Sequence, residues 1–136
     1  MDKDLRNSRL GSNSVLALDF IAACNARDTD KMMSFFDDNS CYHNIPLEPI
    51  LGAVAIRAVL EPFFLQTERV DWVVKHVAET NMGVVLVERL DRFLIDHKWI
   101  ELPVMGVFEF ENTMIRSWRD YFDLNQIHAG AKKSTR

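Results

Sequence analysis

The stretch from Met82 to Asp96 reads MGVVLVERLDRFLID, and the rest of the chain is best interpreted outward from it. Its Val, Leu, Ile and Phe residues are typical of a buried β-strand, yet Arg89 and Asp91 stand in the middle. Alternate residues of a strand share a face, so the two charges are neighbours on one face. The rest of that face is apolar: Val85, Val87, Phe93 and Ile95. The pattern predicts a long strand that turns a charged pair towards the interior.

The same two-residue period continues on both sides of this stretch. It predicts four strands, over residues 70–80, 84–95, 99–111 and 114–124. Asn81 and Gly83 suit positive φ angles in the first turn, and the short segments DHK and ENT supply the next two. Pro103 and Gly106 predict a bulge or a sharp curve in the third strand. Strands joined this closely form an antiparallel meander.

Helical spacing replaces this pattern in the N-terminal half. A first helix is predicted from Ser14 to Ala26, capped by Asn13 or Ser14. Asp28 is the expected N-cap of a short second helix. The apolar sides of these two helices are formed by Val15, Leu18, Ile21 and Ala22, and by Met32, Phe35 and Phe36.

A short strand and a third helix precede the meander. The strand is predicted over residues 41–45, and the helix over residues 53–64, opened by Gly52. Pro62 is expected to kink the helix or shorten its last turn. Helices followed by an antiparallel meander indicate an α+β fold, a curved sheet wrapped over helices. The concave face of such a sheet leaves a pocket at its open end.

Composition limits the class of protein. A chain of 136 residues, nearly half of them apolar, fits one domain with one core. We predict a flexible arm over residues 1–13, a single catalytic domain over 14–128 and a polar tail over 129–136. The net charge of −4 argues against a nucleic-acid partner. The sequence has neither a run long enough to span a bilayer nor the apolar core of a signal peptide, so we expect a cytoplasmic location.

Metal and disulfide chemistry have little support. Cys24 and Cys41 form no motif and are expected to be reduced. The histidines are far apart and match no metal-binding spacing: His43, His76, His97 and His128. We therefore expect no metal site.

Two further strands also place polar residues where apolar ones are expected. Asp120 shares a predicted face with Met114, Arg116, Trp118, Phe122 and Leu124, and Tyr42 and Asn44 alternate in the short strand. One interpretation is a structural salt bridge between Arg89 and the carboxylates, and strand-edge capping by Tyr42 and Asn44. A buried ion pair is a poor source of stability, however, because desolvation roughly cancels the attraction. Two acids, one base and a hydrogen-bonding pair suit chemistry better.

These segments resemble the limonene-1,2-epoxide hydrolase family: CYHNIPLEP, VERLDRF, GVFEF and SWRDYFDL. Three motifs carry the resemblance and occur in the family's order: Tyr-x-Asn-x-Pro, then Arg-x-Asp, then Trp-Arg-Asp-Tyr-Phe-Asp. The resemblance extends from about Val15 to Gln126. It implies a cone-shaped α+β fold with a curved mixed sheet, helices on its concave face, no cofactor and a homodimer. The fold is related to nuclear-transport-factor-like and ketosteroid-isomerase-like domains.

The resemblance also implies a role for each polar residue. Asp120 matches the family's general base, Asp91 its general acid, and Arg89 the arginine that bridges them. Tyr42 and Asn44 match the pair that holds the attacking water. In this mechanism water adds to the epoxide in one step, and we expect the two carboxyls to share one net proton. No nucleophile elbow is present to suggest the covalent alternative.

The expected substrate is apolar, terpene-like or cyclic, and the product a vicinal diol. From strand parity and helix position, the candidate pocket walls are Phe93, Leu102, Val104, Phe122, Phe63 and Ile21. Glu48, the bulky Phe63 and Phe93, and a hairpin shorter than the family's leave the substrate open. Two alternatives also stay open: a ketosteroid-isomerase-like or polyketide-cyclase-like enzyme, and a non-catalytic module that binds a small molecule.

Overall fold

The computed structural model describes residues 10–127, which fold into helices and a six-stranded sheet. The helices are α1 (Ser12–Asn25), α2 (Thr29–Met33) and α3 (Ala53–Gln66). The strands are β1 (Cys41–Asn44), β2 (Ile50–Leu51), β3 (Arg69–Glu79), β4 (Val85–Ile95), β5 (Lys98–Glu111) and β6 (Met114–Tyr121). Most of the arm predicted for residues 1–13, and all of the tail predicted for 129–136, lie outside the described residues.

The sheet is open and mixed, in the order β2-β1-β6-β5-β4-β3. The antiparallel meander from β3 to β6 confirms the prediction from the two-residue period. β1 pairs in parallel with β6, and β2 pairs with the free side of β1. With the helices packed on one face, this is the expected α+β fold. β2 was not predicted, because two residues are too few to show a period.

The tight turns lie where the sequence predicted them, and most have the expected positive φ angles. Asp96 and His97, at φ 52° and 63°, form one turn, and Asn112 and Thr113, at φ 51° and 69°, form another. Positive φ at both central residues matches the twist of a two-residue hairpin. Gly83 has φ 79° as expected, but Asn81 does not take a positive φ.

The strand irregularities lie elsewhere than predicted. β4 and β5 pair without a register shift, so Pro103 and Gly106 mark no bulge between them. The extra residues are Lys75 in β3 and Arg116 in β6. Pro103 tolerates its lost N–H because it lies beyond the last β5–β6 pair, where β5 has one neighbour.

The bulge at Arg116 corrects the predicted face of β6. An extra residue reverses the alternation on one side of it, so Ile115 is buried and Arg116 is exposed. Trp118 and Asp120 keep their predicted inward orientation. The strand ends at Tyr121 rather than Leu124, and residues 124–127 are helical.

The start of α1 is held by a carboxylate from β3, not by the predicted Asn13 or Ser14 cap. Gly11 is the N-cap and makes no side-chain capping bond. The Ser14 backbone N–H and hydroxyl donate to Glu79 Oε1 at 2.9 and 2.6 Å. Asn13 instead donates its amide to the Gly83 carbonyl at 2.9 Å.

The helix predictions were right in position and less accurate in detail. Asp28 caps α2 as expected, accepting from the Lys31 N–H at 3.1 Å. α3 continues four residues past Pro62, which does not end it. In α1 the predicted apolar side is wrong for two residues, since Val15 is only half-buried and Ala22 is exposed.

The core lies between the helices and the inner face of the sheet and is dominated by aromatic rings. Phe20 of α1 makes edge contacts with Phe35, Phe36, Phe108 and Trp118 at centroid distances of 4.9 to 6.0 Å. This packing fixes the rings that lie beside the polar residues described next.

Candidate active site

A buried guanidinium joins two buried carboxylates on the inner face of the sheet. Arg89 donates from Nε and Nη2 to the two Asp91 oxygens, both at 2.9 Å. It also donates from Nη2 and Nη1 to the two Asp120 oxygens, at 2.8 and 3.2 Å. The side chains are 0%, 4% and 6% exposed for Arg89, Asp91 and Asp120. One nitrogen, Nη2, therefore binds an oxygen of each acid and keeps the two carboxylates close.

The strand order explains why arginine is the residue that joins them. Arg89 and Asp91 are alternate residues of β4, whereas Asp120 belongs to β6, with β5 in between. Neighbouring strands are about 4.8 Å apart, so a short Asp side chain cannot cross β5 unaided. The long, planar guanidinium reaches both carboxylates in the bidentate geometry that it favours.

The electrostatics favour one retained proton. Burial raises the pKa of Asp91 to about 6, against the lowering by Arg89, while Asp120 raises it further. Burial alone would lower the pKa of Arg89, but the two carboxylates raise it well above its usual value. Arg89 is therefore charged, and two ionised acids would leave the buried group with one excess negative charge. Binding one proton removes that excess.

Two tryptophans complete the surroundings of this group. Trp118 donates its indole N–H to Asp120 Oδ1 at 2.8 Å, which gives Asp120 a third hydrogen bond. The Arg89 guanidinium lies 4.8 Å from the centre of the Trp72 ring, a cation–π contact. Neither was among the predicted site residues. Trp118 could have been found, because its i, i+2 spacing from Asp120 places both residues on one face of a strand. Trp72 could not, because it meets Asp91 only through the pairing of β3 with β4, which the sequence does not show.

β1 brings Tyr42 and Asn44 to the same place. In the parallel pairing with β6, Tyr42 lies beside Trp118 and Asn44 beside Asp120. The Tyr42 ring stacks on Trp118 with centroids 4.2 Å apart. Burial, together with the Asp120 carboxylate, raises the pKa of Tyr42 although Asn44 opposes this, so its hydroxyl is neutral. The pair offers a hydroxyl and an amide next to Asp120.

Both acids, Tyr42 and Asn44 line one cavity of about 230 Å³. Five of the six residues predicted as pocket walls also line it: Phe63, Phe93, Leu102, Val104 and Phe122. Ile21 does not line it, because this residue of α1 packs in the hydrophobic core. The remaining walls were not predicted: Val59, Leu60, Phe64, Trp72, Ile95, Ile100 and Ile127. Four of the wall residues come from α3, where helical spacing alone could not tell cavity wall from core.

Two further features are absent from the described part of the chain. Within residues 10–127, no group of three or more His, Cys, Asp or Glu side chains is arranged to hold a metal ion. Over the same residues, no helix combines the length and apolarity that crossing a bilayer needs.

Comparison with known sequences identifies a matching family. The family model of the limonene-1,2-epoxide hydrolase catalytic domain matches residues 12–133. Epoxide hydrolase EphG of Mycobacterium tuberculosis is 30% identical over 112 residues, which cover 82% of this chain and 73% of that protein.

Solved structures share the fold. An M. tuberculosis LEH-like epoxide hydrolase superposes with a TM-score of 0.79 at 24% identity, covering 91% of this chain and 92% of its own. A putative SnoaL-like polyketide cyclase from Shewanella denitrificans gives 0.78 at 16% identity, with 89% and 97% covered. A protein with a ketosteroid-isomerase-like fold from Catenulispora acidiphila gives 0.75 at 15% identity, with 86% and 92% covered. At these identities the superpositions show the fold alone.

Proposed function

The chain belongs to the limonene-1,2-epoxide hydrolase family, and on that premise we propose that it hydrates an apolar epoxide to a vicinal diol in one step. One observation carries the proposal. Two carboxylates that share a single guanidinium nitrogen both line the same apolar cavity. A non-catalytic binding module gains nothing from burying these ionisable groups in its cavity.

Asp120 acts as the general base. As water attacks an epoxide carbon, Asp120 takes one of its protons, and the Asn44 amide oxygen accepts the other in a hydrogen bond. Tyr42, neutral because its pKa is raised, donates to the water oxygen. These three contacts leave a lone pair directed at carbon, and general-base assistance contributes about 10²–10⁴-fold in rate.

Asp91 acts as the general acid. Its pKa, raised to about 6 by burial, keeps it protonated in a minority of molecules at neutral pH and in most molecules below pH 6, and it passes that proton to the epoxide oxygen as the C–O bond breaks. Water supplies the new C–OH, and no covalent enzyme intermediate forms. Return of the proton from Asp120 to Asp91 then restores the starting state. Arg89 holds both carboxylates in place throughout.

The composition of the cavity walls supports an apolar substrate. Besides the acids, Tyr42 and Asn44, the lining is formed by aliphatic and aromatic side chains. A terpene-like or cyclic epoxide without charged groups fits such a surface, with its ring against Phe63, Phe93 and Leu102.

Turnover of limonene 1,2-oxide and cyclohexene oxide in H₂¹⁸O tests the reaction. We expect the diol to carry the label from the first turnover of excess enzyme, since the attacking oxygen comes from water. EDTA should leave the rate unchanged, because side chains supply both acid and base. Absence of diol together with isomerisation of an enolisable ketone would favour the isomerase alternative, and an unlabelled first-turnover diol would indicate a covalent intermediate.

We further propose that the outer face of the sheet joins two copies of the chain. Leu86, Leu90 and Leu94 of β4 are half-buried on this face, where they alternate with Glu88 and Arg92, so the face is more apolar than that of a fully solvated strand. Met105 and Tyr121, paired across β5 and β6, are 40% and 45% exposed. Sedimentation equilibrium should give a dimer for the wild type and a monomer for Leu90→Glu; a wild-type monomer would contradict this.

A further inference from the structure

We propose that Gly106 is a positioning residue of this site: its missing side chain leaves the space above β5 through which Arg89 reaches Asp120. The inference deepens the proposed function and rests on it only where activity is measured. Gly106 faces inward on β5, between Val104 and Phe108. It pairs with Val87 of β4 on one side and with Asp120 of β6 on the other.

The close approach at Gly106 is steric. A Cβ atom placed on this residue would lie closer to Arg89 Nη1 than non-bonded contact allows, and 2.9 Å from Asp120 Oδ1. Real Cβ atoms do not approach polar atoms this closely, so alanine would displace the guanidinium, the carboxylate or both. These are the two atoms joined by the Nη1–Oδ1 hydrogen bond of 3.2 Å.

The surrounding groups leave little room for the displacement. Arg89 is held by Asp91 through two bonds, and the Trp72 ring lies against its guanidinium. Asp120 is held by the Trp118 indole. Glycine is therefore the residue that lets a guanidinium cross from β4 to β6, and a bulge at this position is not the explanation, since β4 and β5 stay in register.

Gly106→Ala should lower kcat and leave KM for an apolar epoxide nearly unchanged, because Gly106 is not part of the cavity wall. Small misplacements of catalytic groups reduce rates by about 10²-fold, and we expect a loss of that order. Moving Arg89 away from Asp91 weakens the stabilisation of the Asp91 anion, so the high-pH limb of the pH–rate profile, where Asp91 loses its proton, should move to higher pH. The matched control is Glu101→Ala, because Glu101 is exposed on the outer side of the same strand. This variant should change neither kcat nor the pH–rate profile.

A double-variant cycle separates positioning from general strand packing. Lysine at position 89 keeps the charge but has no Nη1, so Gly106→Ala should lower the urea midpoint markedly in the wild type and much less in the Arg89→Lys background. Equal losses in both backgrounds, or wild-type kcat and pH profile for Gly106→Ala, would overturn the proposal. If Gly106→Ala alone does not fold, folding of the double variant supports it and failure of both contradicts it.

The cycle needs no substrate. Should no epoxide be hydrated while the unfolding measurements still show coupling between positions 89 and 106, the proposed reaction fails and the positioning role stands.

Discussion

The site is built from three charged side chains that are almost completely buried, Arg89, Asp91 and Asp120, although such side chains are normally exposed to solvent. The sequence pointed to them because charged residues interrupted apolar strand faces. Trp118 and Gly106 were harder to recognise, since a tryptophan on an inner face is normally core and a strand glycine has several explanations. Their partners are set by side-chain directions across three strands, which spacing along one strand does not contain.

The pH dependence of turnover should report the acid. Asp91 must be protonated to donate, and its pKa is raised to about 6, so kcat/KM should fall as the pH rises above that value. The apparent value belongs to the coupled pair with Asp120. A pH–rate profile with limonene oxide checks this. A kcat/KM that increases through pH 6 and stays high would exclude Asp91 as the acid.

Stability should depend on pH through the same group. The folded pKa of about 6 lies above the ordinary value of 3.8, so the folded state holds a proton that the unfolded state releases. The contribution is complete below about pH 4 and is lost as the pH rises through 6, with a slope of about 1.4 kcal/mol per pH unit between the two pKa values. Asp91→Asn lacks this loss, so its urea stability relative to wild type should increase between about pH 4 and pH 7. A constant difference would contradict the raised pKa.

The sequence pattern predicted whole helices and strands more accurately than it predicted their register and their buried sides. The two-residue period indicated β3 to β6 because each strand is long and one of its faces is buried. The bulge at Arg116 left no such trace, because an extra residue changes the register of a pairing rather than the composition of a strand. The buried side of α1 was misjudged because small and apolar residues occur all around that helix.

The contact between Glu79 and the start of α1 should be a measurable part of the stability. The carboxylate accepts from the Ser14 N–H and hydroxyl at the positive end of the helix, so Glu79→Ala should lower the free energy of unfolding by about 1–2 kcal/mol. Urea denaturation measures the change. Glu88→Ala is the control, since that carboxylate is half-exposed and pairs with the exposed His76. Equal effects would show that the helix contact contributes nothing specific.

At the scale of the whole molecule, α3 closes the concave face of the sheet and sets the size of the cavity. Phe63 packs edge-on against Phe93 at 5.2 Å, and both rings line the cavity. The family resemblance implied the site, but the volume depends on how far α3 lies from β4 and β5. That distance is a property of the packed molecule and has no local sequence signal.

Phe63→Ala should therefore shift substrate preference. Removing the ring enlarges a cavity of about 230 Å³, so kcat/KM should increase for bulkier terpene epoxides relative to cyclohexene oxide. Competition assays give the ratio directly. Leu65→Ala, on the same helix but 68% exposed, should leave it at the wild-type value. An unchanged ratio for Phe63→Ala would mean that the substrate does not contact this wall.

The rate of diol formation by Asp91→Asn, Asp120→Asn and the double variant tests the central claim most directly, with circular dichroism to verify that each is folded. If Asp120 activates water and Asp91 protonates the epoxide oxygen, each single variant should lose about 10²–10⁴-fold in kcat. The double variant should be scarcely worse than the weaker single one, because groups that act together are not additive. A folded single variant that hydrates epoxides at the wild-type rate would show that these carboxylates serve the fold and not the reaction.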